Sequence, residues 1–163
     1  MREQKHRLKL AMTPGERDSF LLHARVCRLA SIGNDGAPHV TPLYYIWDGT
    51  SVWLTSIVNS LRWNDLARNP IVSIVVDDGD VFQELRGVEL RGRVMGVGEV
   101  PRTGEPVAEL EVPERLFAEK YNPGSAGMRH DGRHAWLRMA PEKIVSWDHR
   151  KLAASQRADV ADR

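Results

Sequence analysis

The sequence has a single cysteine, Cys27, so no intramolecular disulfide braces the chain, and the fold must rest on its core. No excess of either charge is present: 23 Lys and Arg stand against 22 Asp and Glu, leaving +1. Positive residues are scattered among negative ones, which argues against a nucleic-acid or other polyanion surface. No apolar run is long enough to span a bilayer, so no membrane partner is expected. The first twenty residues carry charge without an apolar signal core, and a cytoplasmic, reducing location is the expectation. Walker and Rossmann glycine loops are missing, as is the Gly-x-Ser-x-Gly elbow of covalent hydrolases. Nucleoside triphosphates, dinucleotides and acyl-enzyme chemistry therefore gain no support.

What is present suits one domain: 163 residues of which 42% are hydrophobic, enough for an ordinary core. Thr13-Pro14-Gly15-Glu16 has the form of a capping box opening a short helix that runs to about His23, with Phe20, Leu21 and Ala24 on its apolar face. From Val26 the period changes to that of strands, and "GNDGAP" and "DGT" separate three β segments too closely linked to be parallel. Cys27, among Val26, Leu29 and Ala30, reads as a buried, inert thiol. Pro42 removes a ladder donor, so its strand should lie at an edge, at a bulge, or where something other than a strand uses the backbone.

Leu61, Leu66 and Trp63 mark a helix stopped by Asn69-Pro70. "IVSIVVD" reads as a strand buried on nearly both faces, and "VFQELRGVELRGRVMGVGEV" alternates with Val88, Leu90 and Val94 on one side. "VAELEVPERLFAEKY" is helical in its second half. Two last strands, "HAWLRMA" and "KIVSWDHRKL", are joined at Pro141-Glu142. The expected fold is mainly β (α+β): a six- to seven-stranded antiparallel split β-barrel with short peripheral helices. One domain over 13–152 is expected between a flexible N-terminus, 1–12, and a flexible tail, 153–163.

Candidate chemistry lies first in "WLTSIVNSLRWNDLARNP". Thr55 and Ser56 end a strand while Ser60 and Arg62 open a helix, so hydroxyls, amides and a guanidinium converge as a phosphate requires. The same pattern also fits a capping serine beside a solvated arginine. In "PHVTPLYYIWDG" the Pro-interrupted backbone and flanking aromatics suit a slot for a flat ring, although Tyr44, Tyr45 and Trp47 equally suit a barrel wall. His130 and His134 in "HDGRH" invite a metal, but the glycine and loop context break i, i+4 geometry, and no metal site is expected. Asp77, Asp78 and Asp80 read as turn residues.

"RVCRLASIGNDGAPHVTPLYYIWDG", "TSIVNSLRWNDLARNPIVSIVVDDGD", "ELRGVELRGRV" and "PEKIVSWDHRKL", in that order, resemble the pyridoxamine 5'-phosphate oxidase-like split-barrel family of flavin and deazaflavin proteins. The resemblance covers about residues 13–152. It implies a homodimer with cofactor, either F420 or FMN, at the subunit interface. It puts the cofactor phosphate on Thr55, Ser56, Ser60 and Arg62, and the ring against Val40, Thr41, Pro42 and Leu43. The chain departs from true pyridoxamine phosphate oxidases, which carry a Gln where Gly87 stands, so vitamin B6 oxidation is not expected. The implied function is hydride transfer between a reduced flavin or deazaflavin and a small unsaturated or aromatic substrate. The alternative is a non-catalytic carrier or sensor of flavin, deazaflavin or haem. No side chain is assigned as catalytic, and Trp147 of the closing strand is left without a role.

Overall fold

A computed structural model describes residues 10–125 and 127–152; the rest of the expected flexible ends lies outside the described residues. Leu10, Ala11 and Met12 do fall within them, and the Met12 amide donates to Ser146 Oγ at 3.0 Å. Helix α1, Pro14–His23, opens with the capping box in full: Thr13 Oγ1 accepts from the Glu16 amide and Glu16 accepts from the Thr13 amide. It lays Phe20 and Leu21 on the barrel.

The six strands are β1 (Val26–Ile32), β2 (Pro38–Trp47), β3 (Val52–Ile57), β4 (Ile71–Asp78), β5 (Arg86–Val97) and β6 (His134–Asp148). They close in the order β1-β2-β3-β6-β5-β4, with every pairing antiparallel. Between them lie α2 (Leu61–Arg68) and α3 (Glu111–Tyr121), the latter preceded by a 3₁₀ turn over Ala108–Leu110. Inward residues of all six strands, among them Leu29, Tyr45, Leu54, Ile74, Leu90 and Met139, fill the interior. A second cluster, with Ile46, Trp53 and Trp136 from β2, β3 and β6, packs under α3 through Phe117 and Tyr121.

Two local expectations differ from what forms. The closing segment is one strand of 15 residues, because the ladder shifts register opposite Arg91 and Gly92. Glu142 is passed over between Pro141 and Lys143 in that pairing, so a bulge absorbs the proline without ending the strand. Strand β4 is buried on one face only: Val72, Ile74 and Val76 point in, while Ile71 is 51% exposed. Its apolar run continues outward onto a surface shared with β1 and β2.

The feature that positions the site is a partial parting of β2 from β3. β2 pairs with β1 along Pro38–Tyr44, but with β3 only through Tyr45, Ile46 and Trp47. Pro42 therefore sits where the β3 side of its strand has no ladder to lose. On the β1 side, a side chain from α3 takes over where β1 ends: Tyr121 Oη accepts from the Tyr45 amide at 3.1 Å and lies within donor reach of the Arg25 and Tyr45 carbonyls.

Candidate functional site

The chain reverses after β3 through Asn59, whose φ of 65° is a left-handed conformation that asparagine tolerates. Ser60 follows as the N-cap of α2, its Oγ accepting from the Trp63 amide at 3.2 Å. The helix then buries Leu66 and turns Arg62 back toward β3. Arg62 Nε donates to Ser56 Oγ at 3.3 Å, and Ser56 is fully buried. Among the described residues no carboxylate pairs with Arg62. Burial lowers its pKa from the ordinary arginine value, the mark of a cation that has lost water without gaining a counter-ion.

Arg62 lines a cleft of about 370 Å³ together with Pro42, Leu43, Tyr44, Thr55, Ile57, Val26 and His134. This is the space opened by the parting of β2 and β3. Of the residues singled out in the sequence, Pro42, Leu43, Thr55 and Arg62 meet here. Ser56 stands behind Arg62 and orients it. Ser60 caps the helix, as one reading of this stretch expects, and Arg62 lies in a cleft wall and is not a freely solvated surface residue. Val40 and Thr41 lie farther along β2, outside the cleft wall, with Val40 59% exposed. Tyr44 is the aromatic at the slot, stacked on Tyr121 with centroids 4.4 Å apart, whereas Tyr45 and Trp47 are core residues.

Sequence reasoning passed over His134 as part of a cleft. It lines this one and a second of about 260 Å³, which also shares Tyr44 and Thr55. The signal was the Asp-Gly turn before it: Asp131 Oδ1 accepts from the Arg133 and His134 amides, and Oδ2 accepts from His134 Nδ1 at 2.8 Å. Among the described residues no group of three His, Cys, Asp or Glu is arranged to hold a metal ion.

A larger cleft, about 690 Å³, lies elsewhere, against α1. Three of its arginines are paired with carboxylates, Arg28 with Asp77, Arg86 with Asp78 and Arg150 with Asp148, and Arg25 donates to the Lys120 carbonyl and lies over the Tyr121 ring. An anion entering there would have to compete with those contacts. The smaller Arg62 cleft is the better candidate for an anion because its guanidinium is held by a neutral hydroxyl and by no carboxylate among the described residues.

A closed antiparallel barrel with a parted strand pair and short helices between its strands defines a split-barrel protein. The chain belongs to the pyridoxamine 5'-phosphate oxidase family, whose sequence pattern matches residues 13–148. Among solved structures it is similar to a conserved hypothetical protein, Rv2991, from Mycobacterium tuberculosis: 29% identity, 90% of this chain and 91% of that one covered, TM-score 0.76. It also resembles an F420 reductase (22% identity, 78% of this chain and 94% of that one, TM-score 0.58). A third is the haem storage protein HutZ from Vibrio cholerae (14% identity, 81% and 93% covered, TM-score 0.61). No curated protein matches significantly. Among the described residues no helix is long and apolar enough to cross a membrane.

Proposed function

We propose that this protein is a flavin- or deazaflavin-dependent oxidoreductase, with F420 or FMN as its cofactor, that transfers a hydride between the reduced cofactor and a small unsaturated or aromatic substrate. The observation that carries it is Arg62: a partly desolvated guanidinium, held by Ser56, without a carboxylate, at the wall of a cleft large enough for a cofactor ring. A phosphate is the ligand such an arginine lacks. Across the cleft, Pro42 and Leu43 pair with β1 but leave their β3 side without a strand, the flat, polar-edged wall that a tricyclic ring can lie against.

Bound there, the cofactor supplies the hydride chemistry. The chain's own part is to fix the phosphate through Arg62, to seat the ring between the Pro42–Leu43 backbone and Thr55, and to keep water from the reacting face. The expected homodimer is supported by the outward face of β1 and β2, where Val26, Ile32, Val40 and Tyr44 are 39 to 59% exposed. Exposed apolar residues on this face, with Arg28 among them, suit a second copy of the chain.

A carrier or sensor of flavin, deazaflavin or haem is the competing reading, and the likeness to a haem storage protein is what favours it. The absorption spectrum of the purified protein, followed by titration with FMN, F420 and haem, separates the readings. Tight binding of FMN or F420, with oxidation of its reduced form only when an acceptor is added, supports the oxidoreductase. Binding of haem alone would replace it with the carrier.

A further inference from the structure

The cleft that meets the Arg62 cleft has a composition of its own. Its apolar wall is made by Phe117, Trp136 and Met128, with Phe117 edge-on to Trp136 at 5.8 Å between centroids. Its polar rim carries Arg102, Arg129 and His130. Arg102 is taken up by Glu99 and Glu114, and His130 faces Glu114 at 3.8 Å. Arg129 is exposed and, among the described residues, has no ion-pair partner. At about 260 Å³ the space lies just below the range of about 300–1,000 Å³ typical of drug-sized ligands. A small flat acceptor with an anionic or electron-rich oxygen toward Arg129 matches these walls.

Where the two clefts join stand Tyr44, Thr55 and His134. An ionised carboxylate only accepts, so His134 Nδ1 carries the proton of its 2.8 Å bond to Asp131. That bond, first, and the bond from the Arg133 amide hold the Asp131 carboxyl well below the usual carboxylate range. It leaves Nε2 as the nitrogen that gains or gives a proton. With 35% of the His134 side chain exposed, water can restore that proton.

We propose that this second cleft is the acceptor subsite, taking planar conjugated carbonyl compounds, and that His134, positioned by Asp131, donates the proton that balances the hydride. The assignment rests on the oxidoreductase reading above. The hydride from the reduced flavin or deazaflavin forms a C–H bond at the acceptor's β-carbon, and the displaced π pair moves onto the carbonyl oxygen. The His134 Nε2–H bond breaks and an O–H bond forms there. The acceptor is reduced by two electrons, the cofactor oxidised by two, and His134 is left neutral with Nδ1 still bonded to Asp131. The resulting enol relaxes to the saturated carbonyl product.

The test uses the full chain. Trans-cinnamate, a non-reducible planar acid, is titrated into cofactor-free protein while tryptophan fluorescence and the His134 ring nitrogens are followed by NMR. The expected result is quenching with a shift at Nε2, and about tenfold weaker binding in Arg129→Ala, whose side chain is exposed and outside the packing. Single-turnover reduction of trans-cinnamaldehyde by reduced F420 or FMN, measured at saturating cofactor, should fall at least about 100-fold in His134→Gln with an altered pH profile. Asp131→Asn should give a smaller fall with a displaced pH profile, the sign of a positioning residue. Cinnamate binding that leaves His134 and the tryptophans unmoved would overturn the subsite. A His134→Gln variant with wild-type rate and pH profile would overturn the proton role. If the wild type bound neither cofactor, the oxidoreductase reading and the proton role would fall together, while the cinnamate titration would still decide the subsite.

Discussion

Arg62 reaches from the first turn of α2 to Ser56 at the end of β3, Nε to Oγ at 3.3 Å, and that bond aims a guanidinium with no carboxylate partner among the described residues into the space between β2 and β3. A charged contact to a ligand phosphate is worth roughly 1.5 to 3 kcal/mol. Arg62→Ala should therefore weaken F420 or FMN binding by about 10- to 150-fold, with a modest fall in the urea midpoint, because no buried ion pair is broken but the buried Ser56 hydroxyl loses its bond to Arg62. Arg62→Lys should recover part of the loss, since an ammonium keeps the charge but not the two-pronged geometry. Fluorescence titration measures both; equal affinities for all three proteins would return Arg62 to a surface role.

Ser60 offers a sharper discrimination, because it caps α2 and also stands beside the phosphate position implied by the family. Aspartate is as good an N-cap as serine, whereas alanine costs about 0.5–2 kcal/mol. Ser60→Asp should thus keep the denaturation midpoint while repelling a bound phosphate, and Ser60→Ala should lose stability while disturbing binding less. If Ser60→Asp bound cofactor as tightly as wild type, the phosphate would have to sit away from the helix start.

Gly87, where family relatives that oxidise pyridoxamine phosphate carry Gln, faces Trp147 as its cross-strand partner. A Cβ built at Gly87 would overlap the Trp147 ring and come within 2.9 Å of the Val76 carbonyl oxygen. The departure at 87 and the closing tryptophan are one packing solution. Gly87→Gln should consequently displace Trp147 and cost on the order of 1–3 kcal/mol, as overpacked sites do. Urea unfolding together with near-UV circular dichroism checks it; an unchanged midpoint would mean that the indole moves aside freely.

The barrel was legible because alternation in "VELRGRV" and the turn residues between strands carry period and punctuation directly. The capping box at Thr13 and the Ser60 cap were legible for the same local reason. What the sequence could not show is how far β2 and β3 pair, since residues 38–44 and 45–47 are equally strand-like and no local signal marks where the ladder to β3 ends. The cleft is that parting, so Pro42 and Arg62 could be chosen from local pattern, Tyr44 could be offered but not told from Tyr45 and Trp47, and Ile57 and the cleft position of His134 could not be found. Strand β6 shows the opposite limit. Pro141 is a strong local stop, and long-range pairing with β5 on both sides of the bulge overrode it.

The contact of α3 with the end of β2 should respond to pH through Lys120, which lies next to Tyr121 on α3. Its Nζ is 4.3 Å from the centroid of the Tyr45 ring and reaches the Tyr45 carbonyl at 3.5 Å. Burial, with the Arg25 charge adding to it, pushes its pKa from 10.5 down to about 8. Because the unfolded chain holds that proton more tightly, the charged lysine opposes folding below pH 8, and the opposition fades as pH rises toward the unfolded value. Lys120 should therefore make stability increase between about pH 7 and pH 9.5. The gain is reduced by partial exposure of the lysine and by its cation–π attraction to Tyr45, which favours the charged form. Burial holds the Tyr121 hydroxyl up to about 12, so it stays protonated across this window and keeps its bonds at Tyr45. Urea unfolding at both ends of the window should show a rising slope in the wild type that flattens in Lys120→Met. Parallel slopes in the two proteins would show that Lys120 titrates as a solvent lysine and that its aromatic contacts offset its burial.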